Sequence, residues 1–148
     1  MILEKSFELT RPGKAQDLLR PDKIFAGIPV FDQLGLERGL LAGTLVAQAP
    51  LFGQVRFPFE SRLAQVGAGD DGPGLKVQLS AQALDPVPSF WAELSGHGSV
   101  TEESLLYQVH LRLHADLPEG EKWGGRALRR MAEASFERTL ARTLLNLG

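Results

Sequence analysis

The chain of 148 residues contains no cysteine. That excludes disulfide bonds, thiolate nucleophiles and zinc sites built on Cys. No apolar run approaches the ~20 residues of a membrane span, so no membrane insertion is expected. The opening Met1-Ile2-Leu3-Glu4-Lys5-Ser6-Phe7-Glu8 carries charge at positions 4, 5 and 8 and lacks the apolar core of a secretory signal. A cytoplasmic location is expected. Neither sign of charge dominates: 16 Lys and Arg stand against 18 Asp and Glu, a net charge of −2. The whole-molecule field therefore gives no reason to expect nucleic acid as a partner. There is no Gly-x-Ser-x-Gly elbow of the hydrolase kind. The glycines from Gly67 to Gly74 fall between two strand-like segments, where they read as a hairpin turn and not as a phosphate loop. No cofactor is implied.

What is present is ordinary for one globular domain over residues 1–148: 43% hydrophobic and 23% charged residues. Ile2 to Leu9 reads as a first strand, only loosely patterned. Thr10 and Pro12 read as the start of a helical segment. Residues 13–35 are broken by Pro21, Gly27, Pro29 and Gly35, which predicts two or three short helical pieces.

From Leu40 the period changes to two. Leu41 to Ala49 predicts a strand. In the next, Val55, Phe57, Phe59, Ser61 and Leu63 share one parity, and Pro58 points to an edge position or a bulge. Leu75, Val77, Leu79, Ala81 and Ala83 alternate with polar residues. Phe90, Ala92 and Leu94 alternate with Trp91, Glu93 and Ser95, and Gly96-His97-Gly98 loosens the end of that strand. Leu105, Tyr107, Val109, Leu111, Leu113 and Ala115 alternate with Gln108, His110, Arg112 and His114, the clearest alternation in the chain. Short connections predict antiparallel hairpins throughout.

From Gly124 to Leu147 the pattern becomes helical. Leu128, Met131, Ser135, Phe136, Thr139, Leu140, Leu144 and Leu147 fall at i, i+3, i+4 and i+7 spacings. Such a helix is about 35 Å long at ~1.5 Å per residue, enough to lie along a whole sheet and close one face. The fold class is therefore α+β: a curved antiparallel sheet of about six strands, short helices after strand 1, and a long C-terminal helix packed on the sheet.

This order of elements resembles the helix-grip fold of the START superfamily, or SRPBCC, which includes the birch-pollen allergen and polyketide cyclase-like proteins. It is similar to small bacterial branches of unknown function. The segment from Gly43 to Gly53 also looks like the matching strand and turn of the superfamily's carbon monoxide dehydrogenase-associated members. The resemblance implies a sheet gripping the long helix, often around an apolar cavity. It does not imply a ligand, since function belongs to the site and not to the fold.

The candidate site is the inward apolar set. Phe57, Phe59, Leu79, Phe90, Tyr107, Val109, Leu111, Met131 and Phe136 either line a cavity for a small hydrophobic molecule or fill it as core. Ser61 and Tyr107 carry hydroxyls on that face. They either contact a ligand or bond a backbone carbonyl, and the second reading is preferred. His110 and His114 are four apart on a strand, about 13 Å, too far to share a metal ion, and no metal site is expected. Arg126, Arg129 and Arg130 near the start of the helix read as a solvated face or an anion contact. Trp91 has the parity of the opposite sheet face, and Trp123 is a further candidate anchor. A large indole at Trp91 predicts cover by a loop or a second copy, hence a weak homodimer.

Three functions compete. One is a non-catalytic domain binding a small apolar ligand. The second is an interaction module with a filled core. The third is an enzyme of the cyclase or hydratase kind, which requires titratable groups converging inside the grip.

Overall fold

The computed structural model describes residues 2–49, 53–66 and 74–116, together with Arg130, Met131, Ala134, Ser135, Glu137, Arg138 and Arg142. Seven antiparallel strands form one sheet: β1 (Ile2–Pro12), β2 (Phe31–Glu37), β3 (Leu40–Ala49), β4 (Gly53–Gln65), β5 (Lys76–Ala81), β6 (Phe90–Thr101) and β7 (Ser104–Ala115). Their order across the sheet is β1-β7-β6-β5-β4-β3-β2. β2 to β7 form a meander of neighbours, and β1 closes beside the last strand. A 3-10 turn (Ala15–Leu19) and a short helix α1 (Pro21–Phe25) connect β1 to β2. They bury Leu18, Pro21 and Phe25.

The alternating strands behave as their pattern requires. On β7 every residue of the Leu105–Ala115 apolar parity is buried. On β4, Val55, Phe57, Phe59 and Ser61 are buried. Together with Leu41, Leu45, Val77, Leu79, Ala92 and Leu94 they make one inner face, and Leu18, Phe25 and Ile28 pack into the same core. Pro58 pairs with Thr44 of β3. On its other side β5 pairs only with Ser61–Gln65, so the proline sits in the half of β4 that has a free edge there, where its missing N–H costs no ladder bond.

Three expectations change. First, the segment expected to be helical up to residue 35 ends in a strand, making seven strands where about six were expected. β2 escapes a period-two reading because its register shifts between Asp32 and Gly35, with Gln33 at φ 55. Asp32 accepts from the Gln33 amide at 2.9 Å and from Arg56 at 2.9 Å, and the Arg56 guanidinium holds its carboxyl below the usual range. Second, β1 continues to Pro12 and no helix starts at Thr10. The first turn is capped at Lys14, whose amide donates to Asp17 Oδ2 at 2.9 Å.

Third, β6 runs on through Gly96-His97-Gly98. The glycines answer crowding: a Cβ at Gly96 would lie 2.3 Å from the Gln108 carbonyl oxygen, and one at Gly98 would lie 2.8 Å from the Tyr107 ring. Of the expected C-terminal helix, seven positions are described, and each is helical. The rest of Gly124–Leu147, with Phe136, Arg126 and Arg129, lies outside the described residues, as do Trp123 and the turn at 67–73.

Candidate functional site

The inner face is built in rows. Antiparallel register sets side chains of neighbouring strands directly opposite one another on one face. One row runs Phe7–Val109–Gly96–Leu79, the next Leu9–Tyr107–Gly98–Val77, and the one on the other side Lys5–Leu111–Leu94. The sequence candidates thus meet: Leu79, Tyr107, Val109 and Leu111 stand in adjacent rows, all essentially excluded from solvent.

Aromatic contacts tie the rows to the connecting segment. Phe25 packs edge-on against Tyr107, ring centroids 5.5 Å apart, and stacks on Phe31 at 5.5 Å. Phe31 meets Phe59 edge-on at 5.9 Å. Phe57 meets Phe90 edge-on at 5.9 Å. Phe57 and Phe59 are buried, whereas Phe90 is half-buried. Met131 is exposed at 67% and is not buried with them. Leu18, Phe25 and Phe31 also join the cluster, although the sequence placed them only in short helical pieces. Their hydrophobicity was visible, but no period set them on the inner face.

Both inner hydroxyls bond backbone carbonyls. Ser61 Oγ donates to the Leu94 carbonyl at 2.5 Å, and Tyr107 OH donates to the Leu18 carbonyl at 2.5 Å. Burial pushes the Tyr107 phenol above its ordinary ionisation range. Among the described residues the face offers apolar surface, two satisfied hydroxyls and, at its β1 edge, Lys5.

The outer face is polar and laced with contacts. Arg112 Nε donates to Glu4 Oε1 at 2.6 Å. Ser6 Oγ and His110 Nδ1 share a hydrogen bond at 2.9 Å, and His114 Nε2 lies 2.6 Å from Glu93 Oε1. A groove of about 500 Å³ crosses this face, with Ser6, Glu8, Ser95, His97 and His110 in its lining. His97, expected where the strand loosens, stands in β6 opposite Gln108. Trp91 projects outward as its parity requires and stacks on His114, centroids 3.9 Å apart at 6°. Beside that stack Ile2 is exposed at 58% and Val87 at 59%, around a depression of about 400 Å³. Among the described residues no three His, Asp or Glu side chains converge as metal ligands, and no helix is long and apolar enough to cross a membrane.

The family described as "Protein of unknown function (DUF3809)" matches residues 6–145. No curated protein matches the chain. Solved structures similar to it include TTHA0849 from Thermus thermophilus, at 19% identity and a TM-score of 0.43, covering 98% of this chain and 94% of that one. The lipid transfer and protein localization domain of human StarD13 matches at 10% identity and a TM-score of 0.43, covering 99% and 77%. A START superfamily protein from Mycobacterium smegmatis matches at 13% identity and a TM-score of 0.39, covering 99% of both chains.

Proposed function

This chain belongs to the DUF3809 family of unknown function, and on that premise we propose that it holds a small apolar molecule between the inner face of its sheet and the C-terminal helix. One observation carries the reading. The inner face presents Leu79, Val109 and Leu111 in adjacent rows, with Phe57 edge-on to Phe90 on the same face, while its two hydroxyls are spent on backbone carbonyls. A ligand there would be bound chiefly by removal of apolar area from water, about 25 cal/mol per Å². Native mass spectrometry with a panel of neutral apolar compounds tests this: a stoichiometric adduct supports the reading, and a panel without adducts overturns it.

A second reading is an interaction module acting through the outer face. It is favoured by the exposed Ile2 and Val87 beside the Trp91–His114 stack, since grouped apolar side chains on a polar face mark contact sites. A second copy of the chain is the partner this reading proposes. The cyclase or hydratase reading needs a positioned titratable group inside the grip, and the three histidines stand on the outer face.

A further inference from the structure

We propose that the molecule held on the inner face is an amphipathic anion, an apolar chain ending in a carboxylate, and that Lys5 holds its charged end. The proposal rests on the apolar-ligand reading above and deepens it.

Register places Lys5 where its charge is unexpected. Along β1, Glu4, Ser6 and Glu8 are exposed on the outer face, while on the inner parity Leu3 and Lys5 are half-buried and Phe7 and Leu9 buried. Lys5 pairs directly with Leu111 of β7, and Leu111 with Leu94 of β6. Its aliphatic stem therefore lies in a row of buried leucines and the side chain is half-buried. The nearest carboxylates in sequence are engaged elsewhere. Glu4 accepts from Arg112 at 2.6 Å and Glu8 from Gln108 at 3.2 Å, both on the other face. Among the described residues no carboxylate pairs with Lys5. Arg11 shares the inner parity, opposite Leu105, but it is exposed and donates to the Thr10 carbonyl at 2.9 Å.

An ammonium partly withdrawn from water gains from an anionic partner. β1 is the edge of the sheet, so Lys5 stands at the rim of the apolar face. A lysine there packs its stem and keeps its head near water. A ligand carboxylate meets that head at the rim while its chain runs inward over Leu111 and Val109. The rival role for an inward charge on an edge strand is to block pairing with another chain, and the two roles differ in what they select.

The test titrates the full chain with decanoate, decan-1-ol and decyltrimethylammonium, each below its aggregation threshold. The expected result is decanoate binding about tenfold tighter than decanol, the scale of one charge-assisted contact. Lys5→Gln abolishes that preference, and Lys5→Arg retains it. Light scattering and melting of each variant run alongside. A Lys5→Gln variant that keeps the decanoate preference overturns the proposal, as does one that self-associates with unchanged selectivity. If the wild type binds decanol and decanoate equally, the Lys5 assignment alone fails. If it binds neither, the apolar-ligand reading fails with it.

Discussion

The ring of Tyr107 crosses Gly98 of the neighbouring strand, and its hydroxyl reaches the carbonyl of Leu18 in the 3-10 turn. This one side chain links β7, β6 and the connecting segment. A Cβ on Gly98 would lie 2.8 Å from both the Tyr107 ring and Val77. Gly98→Ala should therefore destabilise by about 1–3 kcal/mol through overpacking. Tyr107→Phe should cost about 1 kcal/mol for the lost bond. In contact, the two should be non-additive. Urea denaturation of both single variants and the double variant measures this.

Tyr107 is the sole tyrosine, so tyrosinate absorbance reports it alone. Burial raises its ionisation above the usual range. The neutral form is favoured in the fold, so its contribution to stability is intact below the ordinary phenol value of about 10 and declines as pH rises past it. The expected outcome is no tyrosinate signal until alkaline unfolding begins. Ionisation at the ordinary value in folded protein would contradict the burial.

Phe59→Ala and Leu111→Ala remove large buried side chains. Each should cost about 2–5 kcal/mol by leaving a cavity. On the ligand reading, Leu111→Ala also changes ligand affinity, and added ligand restores part of the lost melting temperature. Thermal unfolding with and without ligand measures both effects.

Trp91 stacks on His114 next to exposed Ile2 and Val87. If this patch is where two copies meet, Trp91→Ala weakens association with little loss of fold stability. Light scattering across a concentration series beside wild type decides it. A strictly monomeric wild type, or a dimer indifferent to the substitution, rules out this role for Trp91.

Alternation made most of the inner face legible. β7 carries it from Leu105 to Ala115 without interruption, and its parity placed Tyr107, Val109 and Leu111 on the core side. Three features hid the rest. The bulge between Asp32 and Gly35 broke the period of β2. Gly96 and Gly98 looked like the end of a strand, whereas neighbouring atoms occupy the space a side chain would need. On β1 the charge of Lys5 masked an alternation of Leu3, Phe7 and Leu9 that only pairing with β7 exposes. Burial of Leu18 and Phe25 depends on where the connecting segment folds back, which no local period encodes.

The most direct measurement is a methyl NMR titration of the whole chain with decan-1-ol. Binding on the inner face should give saturable shifts at the methyls of Leu79, Val109 and Leu111, with those of Leu106, Ile2 and Val87 unmoved. Saturable shifts confined to Ile2 and Val87, or none at all, would contradict it.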